Sequence, residues 1–330
     1  MNKVHKRILQ RADIVICSYH PDDGQLASQR MAFLIAQIGI LNKKFRTADI
    51  CVITSNWTDV ARAAIDDVAP TLIYDAIHLE GQVYKAEKHN MVMRAIKGMS
   101  NKSVLILGDD VVPTRMDGIR LNPFGQITKW LTHPSDMPAP CIFFSCKGTL
   151  RDTYYKERMK KGQRFSNTAA VTDWAFMIRS EFQCLLEKEE MELFVPNPPM
   201  MKGINRTWQL NSDAMLRFKA ASLGYEVLKD QNLFFETFQS TSSDKNSVWY
   251  HNRESRRKGV LITNEVVSKA WPWLFQGNKP IWQLRGQRAD KLVRLGLLHE
   301  GKYGLYPNGP ALKQRWEQKQ IQKNSLTDLL

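Results

Sequence analysis

Cysteine is scarce and shows no pairing pattern. The five residues, Cys17, Cys51, Cys141, Cys146 and Cys184, are an odd set with no Cys-x-x-Cys pair, and most sit in apolar runs. They read as small reduced core residues of a cytoplasmic protein rather than a disulfide framework. No run of eighteen apolar residues occurs, so neither a transmembrane helix nor a membrane partner is expected. The first ten residues, MNKVHKRILQ, are basic but lack the apolar stretch of a secretory signal. No internal repeat and no low-complexity tract breaks the chain. Acidic residues are thin in the last quarter. Residues 251–330 hold fifteen Lys and Arg against six Asp and Glu, a net of +9 within a chain total of +14. Such an excess fits an anionic partner, and its position is the footprint of a nucleic-acid-binding segment. A solvated basic surface that keeps the protein soluble is the alternative reading.

What the chain does have is apolar mass. At 330 residues and 43% hydrophobic, it can form one large domain or two ordinary ones. DIVICSY (13–19), DICVITS (49–55), PTLIYDAIHL (70–79) and SVLILGDD (103–110) read as strands. Helical spacing separates them, in GQLASQRMAFLIAQIGIL and in GQVYKAEKHNMVMRAIKGM. Strands that are apolar throughout and alternate with helices predict a parallel sheet covered on both faces. PCIFFSC (140–146) and TDWAFMIRS (172–180) are expected as later strands of that sheet or of an attached one. After the Pro-rich VPNPPMMKG, a helix is expected in SDAMLRFKAASLGYEV, with Ser212 or Asp213 as N-cap and Gly224 as C-cap. The polar stretch HNRESRRKG marks a boundary near residue 258. The expected domains are therefore 1–258 and 259–330.

The fourth strand ends in two adjacent carboxylates, Asp109 and Asp110. Ligands of α/β sheets bind beyond the carboxyl ends of the strands. Two carboxylates there repel unless a cation lies beside them, and Mg²⁺ is commonly held by one or two carboxylates plus substrate phosphates. The pair reads as a metal–phosphate site, or as a solvated surface turn.

Several stretches taken in order resemble the GT-A-type nucleotide-sugar glycosyltransferases across about residues 12–255. DIVICSY with HPDDGQ resembles the first nucleotide-contacting strand and loop, and ITSNWTD the second strand's end. AEKHNMVMRAIKGMSNKSVLILGDD resembles the helix and strand that deliver the D-x-D metal motif. NSDAMLRFKAASLGYEV resembles the helix with the catalytic carboxylate. The resemblance implies an α/β fold with a mostly parallel sheet flanked by helices, and a metal-dependent transferase that uses a nucleotide-sugar such as a UDP-sugar. It implies Mn²⁺ or Mg²⁺ at Asp110, with His251 or Glu236 as a later ligand. Asp109 would sit against the ribose or the metal shell. Lys88, Asn90 and Arg94 would lie near the donor, and Tyr19 and Asn56 would flank the base. Asp213 would act as general base. Gly108 stands where the motif has its first acid, Ser55 or Asn56 where the second strand has one, and Ser212 precedes Asp213.

RGQRADKLVRLGLLHEGKYGLYPNGPALKQRW places Arg288, Lys291 and Arg294 on one broad helical face. Gly296 would end that helix, a hairpin would turn at Glu300–Gly301, and a last helix would follow Gly309. The order resembles a winged-helix domain with Trp271, Trp273 and Trp282 in its core and earlier helices in NEVVSKAWPWLF and PIWQL. Arg285, Arg288, Lys291, Arg294 and Lys302 would contact DNA phosphates; packing on the rest of the chain is the structural alternative. A transferase joined to such a module resembles the phage enzymes that glycosylate hydroxymethylated bases, which implies double-stranded DNA as acceptor and the infected cell's cytoplasm as setting. Cell-envelope glycan synthesis and a non-catalytic DNA-binding protein are the competing expectations.

Overall fold

The structure, a computed structural model, describes residues 1–18, 24–81, 83, 85–115, 119–147, 164–167, 175–187, 212–237, 267–277 and 279–327, with backbone alone at 24–27, 60–62, 64, 146–147, 212–214 and 323–327. It divides into two compact units. The first comprises Met1–Phe165, Val171–Gln183 and Lys229–Arg253; the second comprises Ser166–Ala170, Cys184–Leu228 and Glu254–Leu330. The second unit is thus built from a last segment that begins at Glu254 and from two earlier segments.

The first unit alternates helices and strands as its apolar spacing predicts. In order come α1 (Lys3–Arg11), β1 (Ile14–Cys17), α2 (Gly24–Lys44), β2 (Ile50–Ser55), α3 (Asp59–Val68), β3 (Asp75–Leu79), α4 (Lys85–Ile96), β4 (Ser103–Gly108), β5 (Val111–Thr114), α5 (Pro123–Thr132), β6 (Cys141–Lys147), β7 (Phe165–Ser166), β8 (Ala175–Arg179) and β9 (Val227–Thr237). The sheet order is β3-β2-β1-β4-β8-β6-β9-β5, and β7 pairs with β9. β1, β2 and β4 are buried along their whole length, as strands covered on both faces must be. β3, β2, β1 and β4 run parallel, whereas β8 is antiparallel to β4 and to β6, and β5 is antiparallel to β9. The sheet is therefore mixed, with its parallel half at the amino-terminal end of the chain. Aromatic stacking fills the core beside the antiparallel half, where Phe143 lies 5.1 Å from Phe176 and Phe144 lies 5.1 Å from Phe235.

Two differences from the sequence reading concern strands. β3 begins only at Asp75, so residues 71–74 precede it. β5 and β9 carry no plain strand signature. In β9, Lys229 and Asp230 are buried polar residues, and Asp230 is held by two bonds from Arg164, at 3.0 and 2.8 Å. A tertiary partner thus makes a strand of residues that read as loop.

In the second unit, α6 (Ser212–Ser222) ends at Gly224, whose φ of +83° and N–H bond to Ala221 form the expected glycine cap. Residues 267–270 are helical, but the later apolar stretches form single 3-10 turns at Pro272–Leu274 and Ile281–Gln283, with a short hairpin between them, β10 (Phe275–Gln276) and β11 (Lys279–Pro280). Trp271 and Trp282 are buried and Trp273 packs on Trp316. α7 (Gln287–Arg294) closes on a glycine as α6 does. Gly296, at φ +66°, donates to the Val293 carbonyl and Leu297 donates to that of Leu292. The hairpin after it is β12 (Leu298–Gly301) and β13 (Gly304–Pro307), paired Gly301 to Gly304. Its turn is Lys302–Tyr303, not Glu300–Gly301, because Gly304 at φ +128° lets the chain re-enter the ladder there. α8 (Gly309–Thr327) follows.

Candidate metal–phosphate site

Parallel pairing brings three carboxyl ends together. Cys17 at the end of β1 is level with Gly108 at the end of β4 and with Ile53 near the end of β2. Beyond them, Asp109 and Asp110 form the two-residue connection from β4 to β5.

The carboxylate of Asp109 is buried. It accepts a bond of 3.0 Å from Ser18 Oγ and an ion-paired bond of 2.6 Å from Arg30 Nη1 of α2. Lys88 of α4 is only 2% exposed; its Nζ donates to the Ser18 carbonyl and, at 2.7 Å, to Ser55 Oγ. Burial pushes the Lys88 ammonium down to about 8, against the opposing pull of Cys17 and Asp109. The result is a tight cluster in which two cations and one carboxylate meet three strand ends.

Asp110 differs from its neighbour. It is closely surrounded yet retains solvent-accessible surface, and its Oδ2 accepts 3.0 Å from Thr237 Oγ1 of β9. Burial first, and the charge of Asp109 second, raise its carboxyl to about 6, while Arg30, the Thr237 bond and Lys85 pull the other way. A carboxylate raised in this manner is relieved by a cation. Asp109 is engaged by Arg30 and Ser18, which leaves Asp110 to offer the free oxygen. One protein carboxylate plus donor phosphates is an ordinary ligand set for Mg²⁺ or Mn²⁺, so the residues present fit such an ion. Among the described residues, no group of three His, Cys, Asp or Glu side chains could hold a metal by itself.

The other expected residues distribute as follows. Asn56 ends β2 in the left-handed region, at φ +59°, a conformation that asparagine tolerates. Glu87, Asn90 and Arg94 share one face of α4, with Arg94 exposed and paired to Glu87 at 2.8 Å and Asn90 buried beside Glu87. Lys88 is two residues from Asn90 and so faces the opposite side of the helix. The structure thus gathers Lys88, Asp109 and Asp110 and sets the buried Asn90 and the exposed Arg94 on another face of α4. Strand alternation likewise puts Glu236 on the face opposite Thr237; it accepts from Thr114 Oγ1 at 3.4 Å, turned away from Asp110. Tyr19 and His251 lie outside the described residues, as does the side chain of Asp213, whose backbone is in the first turn of α6.

Sequence reasoning missed Ser18, Arg30, Gln37 and Thr237. Arg30 and Gln37 are seven residues apart, two turns on one face of α2, and Gln37 is the one polar side chain in the run 31–41, which is the signal that could have found them.

No protein-family model matches the chain, and no curated protein matches it significantly. Solved structures with partial likeness include a mannosyltransferase of Pyrobaculum calidifontis in complex with GDP-Man and Mn²⁺ (16% identity, 81% of this chain and 70% of that chain, TM-score 0.47). GalNAc-T7 with UDP, GalNAc and Mn²⁺ is similar over 72% of this chain and 46% of that chain (11% identity, TM-score 0.45). TarS 1–349 of S. aureus is similar over 84% and 68% (10% identity, TM-score 0.43). At TM-scores below 0.5 these likenesses assign no activity.

In the second unit, the cations expected to meet DNA are all exposed. Arg285 precedes α7, Arg288, Lys291 and Arg294 lie along it, and Lys302 sits in the turn of the β12–β13 hairpin.

Proposed function

We propose that the protein is a metal-dependent glycosyltransferase that moves a sugar from a nucleotide-sugar to hydroxymethylated bases of double-stranded DNA. One observation carries the transferase reading: an acidic turn at three converging strand ends, flanked by the buried Lys88 and the half-buried Arg30. An all-acidic site would suit a cation alone, and an all-basic one a phosphate alone. This arrangement suits both together, as a nucleoside diphosphate with its divalent ion requires. The exposed basic face of α7 and the hairpin supports the choice of a polyanionic acceptor.

Asp110 would hold Mn²⁺ or Mg²⁺, which when bound neutralises charge developing on the departing diphosphate. Lys88 has three N–H donors and spends two of them on described residues, so the third would donate to a phosphate oxygen of the donor. Arg30, paired to Asp109 at 2.6 Å, would hold that carboxylate in place beside the diphosphate. Asp213 would accept the acceptor hydroxyl's proton, and a positioned base contributes about 10²–10⁴ in rate. A base in duplex DNA would leave the stack to reach it.

The test incubates the full chain with Mn²⁺, labelled UDP- and GDP-sugars, and DNA with or without hydroxymethylated pyrimidines. Label is expected in the modified DNA only. Absence of transfer with every donor, together with no Mn²⁺-dependent binding of any nucleotide-sugar by calorimetry, would reject the transferase. Mn²⁺-dependent donor binding with label passing only to a glycan acceptor would reject DNA alone.

A further inference from the structure

Gln37 is fully buried in the middle of α2, on the side that also buries Leu34, Ile38 and Leu41. Its one amide nitrogen donates at 2.7 Å to the Gly108 carbonyl and at 2.6 Å to the Val111 carbonyl. These are the last residue of β4 and the first of β5, so a single side chain holds both flanks of the Asp109–Asp110 turn.

The topology explains why that turn needs holding. A two-residue connection usually joins strands that pair with each other, and their ladder fixes the turn. Here β4 lies between β1 and β8, whereas β5 is the last strand of the order, paired with β9. Three Cα steps span at most about 11 Å, so the sheet must curl until its fourth and last strands meet at this connection. No ladder runs between them, and Gln37 supplies the tie instead. The tie has a cost: Gln37 Oε1 is buried with no hydrogen-bond partner among the described residues. An apolar residue would avoid that cost and lose both bonds.

We propose that Gln37 is a positioning residue for the metal-binding carboxylate, clamping the Gly108 and Val111 carbonyls so that Asp110 is set for Mn²⁺ before donor binds. The inference rests on the metal–diphosphate reading of the site. It acts through geometry, since Gln37 touches neither donor nor ion. Arg30, two turns earlier on α2, fixes Asp109 by its side chain, whereas Gln37 fixes the backbone from which Asp110 projects.

The experiment measures Mn²⁺ and UDP or GDP binding by calorimetry and Mn²⁺ paramagnetic resonance in wild type, Gln37→Met and Gln37→Glu, with circular dichroism on each. Wild type that binds no nucleotide in a Mn²⁺-dependent way sinks the functional reading itself. If wild type binds, folded variants are expected to lose about 10–100-fold in Mn²⁺ affinity, as loss of an outer support does, while metal-free nucleotide binding holds at the wild-type value. A merely structural glutamine would lower the melting temperature and leave Mn²⁺ affinity unchanged, and that result overturns the inference. Should neither variant fold, amide exchange of wild type decides. Residues 108–111 are expected to exchange slowly without ligand and to change little when Mn²⁺ and nucleotide are added; protection that arises only on binding overturns it.

Discussion

The two units hold their charges in opposite ways. In the first, Lys88 and Asp109 are withdrawn from water, Arg30 is half-buried, and each is fixed by named partners within hydrogen-bond distance. In the second, Arg285, Arg288, Lys291, Arg294 and Lys302 are exposed on a helix and a hairpin turn. Fixed, desolvated charges reward one ligand geometry and penalise others. Exposed cations on long stems reward any dense array of phosphates, and salt screens them. Under the proposed function, the difference would separate recognition of a small donor from adhesion to a polymer within one chain.

The largest expected effect breaks the first side of that contrast. Asp110→Ala should lower transfer by about 10³-fold or more, since metal stabilisation of the leaving charge is worth several kcal/mol. DNA retention measured by filter binding should be unchanged. Next, Lys88→Met should weaken donor binding by about 10–100-fold, the range of a charge-assisted hydrogen bond of about 1.5–3 kcal/mol. Calorimetry reads it directly.

The second side is tested with salt. Replacing Arg288, Lys291 and Arg294 together by Ala should flatten the slope of log DNA affinity against log salt by about 0.9 for each phosphate that is no longer neutralised. Donor affinity should not move.

The smallest effect is a pH signature of the buried Lys88. Folded Lys88 releases its proton near about 8, against an ordinary value of 10.5. Between these values the unfolded chain holds more protons, so Lys88 should make stability rise with pH across that window. Below about 8 it is charged in both states and adds no slope. Urea midpoints of wild type and Lys88→Met on either side of the window measure this. Donor affinity should move oppositely, falling as the ammonium is lost.

The parallel half of the sheet was legible because β1, β2 and β4 bury both faces, which demands apolar residues throughout. The acidic turn was legible because two charges at the end of such a run need a partner. Less could be read where polar side chains enter the interior. Gln37 and Arg30 of α2 find their partners seventy or more residues away, a separation that periodicity cannot express. β9 was hidden for the same reason, since Asp230 belongs in a strand only once Arg164 is in place. In the last quarter, glycines at helix ends marked the caps correctly, but the hairpin turn moved by two residues because Gly301 and Gly304 were both plausible corners.

β5 leaves the acidic turn as the final strand of the sheet order, and it contains Pro113. Proline removes a backbone donor from a strand whose other side has no partner among the described strands, and so discourages a second chain from adding to it. Self-association through this edge would load directly onto the turn that carries Asp110. Pro113 therefore opposes strand addition at the edge that adjoins the acidic turn.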